Sequence, residues 1–253
     1  MPRNRIAIVT GGTSGIGYAI AKLFVETNTT VVVASSRQDA VEQTMKELGC
    51  DGLAVDLSKP ESAKVLVDYV LQKYGRVDIL INNAGIQHVC PIDEFPEEKW
   101  DFMINLMLNS PFRLIKYCWP SMKENNWGRI INIGSIQGIV ASPYKSCYVS
   151  AKHGLQGLTM AAALEGGKYG ITVNNICPAY VDTPLVQKQI ASQAKVHHIS
   201  EEEVVSEIML TNSAIKHLLD PADIAKVARF LCSDGANMIT GTAIPVDGGW
   251  TAN

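Results

Sequence analysis

Short β-branched runs alternate with longer stretches of helical period along almost the whole chain. The runs lie at 6–9, 30–34, 52–55, 77–81, 129–133, 171–176 and 243–246. They are largely apolar on both faces, which places them in a parallel sheet covered by helices. Helical spacing fills the gaps at 16–26, 40–48, 61–74, 97–123, 147–169 and 222–232, with Pro221 opening the last. In the first of these, Ile16, Ile20, Leu23 and Phe24 share one face. This alternation predicts an α/β fold: one Rossmann-like domain over 1–253, a doubly wound parallel sheet of about seven strands with helices on both faces. With 253 residues, 47% of them hydrophobic, the chain is long and apolar enough for such a core.

Composition removes several classes of function. Net charge is −3 and Lys or Arg never forms a run, so a nucleic-acid surface is not expected. The apolar run at 6–9, behind Met1-Pro2-Arg3-Asn4-Arg5, is too short for a signal peptide or membrane span, and a cytoplasmic location is expected. Cys50, Cys90, Cys118, Cys147, Cys177 and Cys232 form no C-x-x-C pair and read as small hydrophobes in a reducing compartment. No His/Cys/Asp cluster has metal-ligand spacing, and no catalytic metal is expected.

One stretch breaks the rhythm. From 184 to 216 no strand appears, and two polar amphipathic helices fit at 185–194 and 201–210, with His197-His198 between them. An insertion after a strand end, where ligands bind in such sheets, is expected to be a helical lid over the substrate.

Directly after the first strand comes Thr10-Gly11-Gly12-Thr13-Ser14-Gly15-Ile16-Gly17. Gly11 permits the tight exit, Gly15 lets backbone approach a pyrophosphate, and Gly17 lets the helix pack on the sheet. The helix start then offers free N–H groups to phosphate oxygens. The setting between strand and helix makes Gly11 to Gly17 a dinucleotide cradle. An acidic residue at the end of the second strand would select NAD. Here stand Ser35-Ser36-Arg37, which suit the phosphate of NADP. Arg37 can equally be an exposed helix-start residue, with NAD held through backbone and Ser35. Asp56, followed by Leu57 after the third strand, is placed to reach the adenine edge.

Tyr148 and Lys152 are four residues apart, so on a helix the ammonium lies beside the phenol. A neighbouring positive charge should lower the phenol pKa and suit it to general acid–base work. Ser135, at the end of the fifth strand, can hydrogen-bond a substrate oxygen. Asn82-Asn83-Ala84-Gly85 ends the fourth strand on the same rim, and Asn105 is polar between apolar Ile104 and Leu106. Tyr144 competes as the phenol, but four residues on it meets Tyr148 rather than a lysine. His88 is a candidate for the substrate entrance and His153 for a helix exterior.

Together, 10–17, 82–85, Asn105, Ser135, Tyr148/Lys152 and Pro178-Ala179-Tyr180-Val181-Asp182-Thr183 resemble the short-chain dehydrogenase/reductase family in order and spacing. The resemblance implies that Ser135 orients the substrate and Tyr148 is the acid/base. Lys152 would lower its pKa and hold the nicotinamide ribose, and Asn105 would hold a relay water. It places Asn83, Ala84, Gly85, Pro178, Val181 and Thr183 at the cofactor, and it implies a homotetramer.

Within that family the chain resembles the bacterial D-3-hydroxybutyrate dehydrogenases, through 82–88, 94–96, 98–100, 183–186, 188–190 and Asp247-Gly248-Gly249-Trp250-Thr251. This implies a carboxylate held by Gln87, Lys145 and Gln189, with Trp250 also at the substrate. Two positions depart: Gln137 stands where a histidine is expected and Tyr180 where a tryptophan is usual. Those enzymes generally use NAD, in tension with Ser35-Ser36-Arg37. The leading expectation is therefore an oxidoreductase of a short 3-hydroxy acid. The alternatives are an NADP-dependent enzyme for another alcohol or carbonyl, and a silent dinucleotide-binding regulator, against which the intact Ser135/Tyr148/Lys152 set speaks.

Overall fold

The computed structural model describes residues 4–252; Met1–Arg3 and Asn253, the ends of the expected 1–253 domain, lie outside them. Seven strands form one parallel sheet: β1 (Ile6–Thr10), β2 (Thr30–Ser35), β3 (Asp51–Ala54), β4 (Ile79–Asn82), β5 (Gly128–Ile133), β6 (Ile171–Pro178) and β7 (Ala243–Val246). Their order is β3-β2-β1-β4-β5-β6-β7, so the chain reverses direction across the sheet between β1 and β4. That switch point opens a crevice at the carboxyl ends of the strands.

Helices cover both faces: α1 (Gly15–Glu26), α2 (Gln38–Leu48), α3 (Ser62–Tyr74), α4 (Glu97–Ile104), α5 (Ser110–Glu124), α6 (Ser146–Gly166), α7 (Pro184–His197), the short α8 (Glu201–Glu203) and α9 (Pro221–Leu231). Alternation along β1 divides the core in two. Ile6 and Ile8 pack with Leu66 and Val70 of α3 and Leu114 and Met122 of α5. Ala7 and Val9 pack with Ile20 and Phe24 of α1 and Ile224 and Ala228 of α9. β6 is buried along its whole length in spite of Thr172, Asn174 and Asn175, and each asparagine Nδ2 finds an acceptor inside.

Two expected helices are interrupted. The stretch 97–123 is α4 and α5 joined by a π turn, Asn105–Asn109. Pro111 follows in the first turn of α5 and lacks an N–H, so it cannot continue a regular ladder back into the turn. The stretch 201–210 is α8 followed by another π turn, Val204–Met209. The segment from α7 onward has its own small core of Val186, Ile190, Val204, Met209 and Leu210, with Tyr180 and Leu218 against it. Among the described residues, no helix is long and apolar enough to cross a membrane, and no three His, Cys, Asp or Glu are grouped to hold a metal ion.

Candidate active site

At the switch point lies a cleft of about 220 Å³ lined by Gly11, Ser14, Gly15, Asn83, Ser135, Tyr148, Lys152, Val181 and Thr183, among others. Gly11 and Gly15 have φ of +62° and +51°, left-handed backbone that glycine adopts without strain. A Cβ on Gly15 would come within 3.0 Å of Thr183 Cγ2 and close the cleft. A Cβ on Gly17 would overlap the Gly11 carbonyl oxygen, so its bare Cα is what lets α1 dock. Ser14 caps α1 without a side-chain bond, leaving the first N–H groups of the helix open. A glycine cradle and free helix donors fit a dinucleotide pyrophosphate.

Asn83 has a different task from ligand contact alone. Its Nδ2 donates to the Thr10 and Gly11 carbonyls at 2.9 and 3.2 Å, clamping β4 to the glycine turn. Ala84, Gly85, Ile16 and Pro178 also line the cleft, whereas Thr13 and Gly17 do not. Ser36 and Arg37 are exposed beyond β2, with Arg37 Nε 3.8 Å from Asp39. Asp56 accepts from the Ser58 backbone N–H and hydroxyl. Leu57 is 5% exposed and its side chain belongs to the core under α3, so only its backbone faces the end of β3.

Tyr148 and Lys152 sit on α6, with the ammonium 5.4 Å from the phenol ring centroid. Lys152 Nζ donates to the Ile133 carbonyl at 2.7 Å. Ser135, at the end of β5, accepts from the Gln137 backbone N–H at 3.1 Å. A Cβ on Gly138 would lie 2.8 Å from the Lys152 carbonyl oxygen, so this glycine lets the serine turn press against α6. Met103 of α4 and Met107 within the π turn pack with Cys147, Ala151 and Tyr148. Asn105 opens that turn and accepts from Asn109 Nδ2 at 2.8 Å; it lines neither this cleft nor the pocket beside it.

Without a bound dinucleotide, the buried Tyr148 phenol lies above its ordinary range. Burial pushes its phenol up to about 12, and the Ser135 hydroxyl pulls back only in part. Burial also brings the Lys152 ammonium down to about 8. Burial is the largest cause of both shifts, and spacing in the sequence does not report burial.

Next to the cleft is a smaller pocket of about 80 Å³ sharing Ser135, Tyr148, Leu185 and Val186 with it. Gln87, Gln137, Lys145, Tyr180 and Gln189 also line it, together with Ile136 and Ala179. Lys145 Nζ stands 5.8 Å from the Tyr180 ring centroid, and burial lowers its pKa. Gln87 Oε1 accepts from the His88 N–H at 3.2 Å, which leaves its amide NH2 to donate. Trp250 lines neither cavity. It lies in the terminal 3-10 turn, which Asp247 holds through the Gly249 and Thr251 N–H groups. His88 stacks edge-on against Phe95 at 5.2 Å, outside both linings, and His153 is exposed. Leu185, Val186 and Ala179 of the wall stood in the sequence only within the resembling motifs and not as ligand contacts, because nothing there marks an apolar residue as facing a ligand.

The family described as short chain dehydrogenase matches over residues 5–194. A D-beta-hydroxybutyrate dehydrogenase of Rhizobium meliloti is 44% identical, covering 98% of this chain and 99% of the relative. The protein of the same name from Cupriavidus necator is 40% identical, covering 100% of both. A crystal structure of a variant actinorhodin polyketide ketoreductase with NADPH superposes with a TM-score of 0.94 at 32% identity, over 99% of this chain and 98% of that one.

Proposed function

The chain belongs to the short-chain dehydrogenase family and is a nicotinamide-dependent oxidoreductase of alcohols and ketones; on that premise we propose that its substrate is a short 3-hydroxy acid such as D-3-hydroxybutyrate. One observation carries this reading: a pocket of about 80 Å³ that joins Ser135 and Tyr148 to the cation Lys145 and the amides Gln87 and Gln189. The pocket suits a small molecule with a reacting hydroxyl at one end and a carboxylate at the other. Two near full-length relatives carry the name D-beta-hydroxybutyrate dehydrogenase.

In this mechanism Ser135 donates to the substrate oxygen and Tyr148 exchanges the hydroxyl proton with it. Lys152 favours the charge that develops on the phenol and hydrogen-bonds the nicotinamide ribose. The bound nicotinamide supplies hydride transfer. Gly11, Thr13, Ser14, Gly15 and Gly17 form the pyrophosphate turn, and Asp56 reaches the adenine. Asn105, at the mouth of the π turn, holds a relay water. The segment 184–216 serves as the lid, closing through Leu185 and Val186, which line both cavities.

Ser36 and Arg37, exposed at the end of β2, support acceptance of NADP beside NAD. Arg37→Asp should then lower kcat/KM with NADP by about 10- to 100-fold relative to NAD; an unchanged ratio rejects that role. A homotetramer in the cytoplasm completes the reading, supported by exposed Phe112, Met160 and Leu164 on α5 and α6 and by six free cysteines. The decisive assay follows NAD(P)H formation with each enantiomer of 3-hydroxybutyrate and each cofactor. Oxidation of the D enantiomer is expected, and no turnover of either overturns the substrate assignment.

A further inference from the structure

Gln137 is 5% exposed, lines the substrate pocket and is tied by its backbone N–H to the Ser135 hydroxyl at 3.1 Å. Its side-chain Nε2 donates to Ser142 Oγ at 2.9 Å. That bond turns the amide so that Oε1 is buried with no hydrogen-bond partner. A buried carbonyl oxygen left unpaired is unfavourable and is satisfied by any donor that reaches it. Two other polar groups of the pocket provide donors: Lys145 has only N–H groups, and Gln87 has its carbonyl oxygen engaged by His88. Gln137 Oε1 is thus an acceptor beside a set of donors, two residues from the serine that meets the reacting oxygen.

We propose that Gln137 selects a hydroxy acid carrying a second hydroxyl next to the reacting carbon, and that this vicinal hydroxyl donates to Gln137 Oε1 while Lys145 and Gln87 hold the carboxylate. The inference rests on the hydroxy-acid reading above and refines it from 3-hydroxybutyrate to a dihydroxy acid. The redox step is unchanged. The C–H bond at the reacting carbon breaks and its hydride passes to oxidised nicotinamide. The hydroxyl proton goes to Tyr148 in its phenolate form, regenerating the phenol, and the vicinal hydroxyl is retained. A bare methyl or methylene at the same place leaves the Gln137 oxygen unpaired and forfeits the discrimination.

The test compares kcat/KM for 3-hydroxybutyrate, 2,3-dihydroxybutyrate and 3,4-dihydroxybutyrate in the wild-type enzyme, Gln137→Met and Ser142→Ala. The expected result is that one dihydroxy acid exceeds 3-hydroxybutyrate by about tenfold or more in the wild type. The advantage should vanish in Gln137→Met, which keeps the length without the oxygen. It should shrink in Ser142→Ala, which frees the amide to turn without touching the pocket wall; this variant carries the test should Gln137→Met fail to fold. An equal or greater rate with 3-hydroxybutyrate in the wild type overturns the inference and leaves the hydroxy-acid reading standing. So does a preference that survives in both variants. No turnover of any of the three acids overturns the hydroxy-acid reading itself.

Discussion

Tyr148 and Lys152 carry opposed effects of one cause. Burial holds the phenol up at about 12 and the ammonium down at about 8. Carbonyl reduction needs the phenol protonated and, in the proposed mechanism, Lys152 charged. Both conditions hold below pH about 8; above it Lys152 loses its proton while Tyr148 keeps its own. Reductive kcat/KM should therefore be level on the acid side and fall as pH rises through about 8. Lys152→Met should abolish that limb, and a wild-type rate that climbs through the same range contradicts the assignment. Tyr148→Phe should lower kcat by about 10²–10⁴-fold with cofactor affinity retained in a fluorescence titration. Unchanged turnover would make Tyr148 a bystander.

Between elements, buried hydrogen bonds do work that apolar packing cannot. Asn82 Nδ2 donates to Asn132 Oδ1 at 2.8 Å, Asn132 Nδ2 to Thr159 Oγ1 at 2.8 Å, and Thr159 Oγ1 to the Leu155 carbonyl at 2.8 Å. This relay crosses β4, β5 and α6, fixing the depth at which α6 sits and with it the height of Tyr148. Asn132→Ala leaves the Asn82 donor unpaired and should cost about 1–3 kcal/mol in urea denaturation. No measurable loss would show that α6 is positioned by its apolar contacts alone. The π turn acts at the same scale: its extra residue re-aims Asn105 and seats Met107 against α6.

For the molecule as a whole, apolar residues remain uncovered on α5 and α6: Phe112 is 52% exposed, Met160 51% and Leu164 87%. Under the tetramer proposal these side chains lie between subunits, and each contributes about 1.5–3 kcal/mol when buried. Met160→Asp with Leu164→Asp should then shift sedimentation from tetramer to smaller species. A wild-type monomer rejects the tetramer, and an unaltered tetramer in the double variant moves the interface elsewhere.

The parallel sheet, its helical cover and the positions of Gly11, Ser135, Tyr148 and Lys152 were legible in the chain, because period, glycine spacing and an i, i+4 pair are local signals. The substrate pocket was legible only through resemblance: Gln87, Gln137, Lys145, Tyr180 and Gln189 are scattered in sequence and meet only when the strand ends converge. Three-dimensional packing alone set the rest. It turned Leu57 into the core, held Trp250 away from the pocket and broke one long helix at Asn105. It also raised the Tyr148 pKa, since desolvation depends on everything packed around a group and spacing reports only one neighbour.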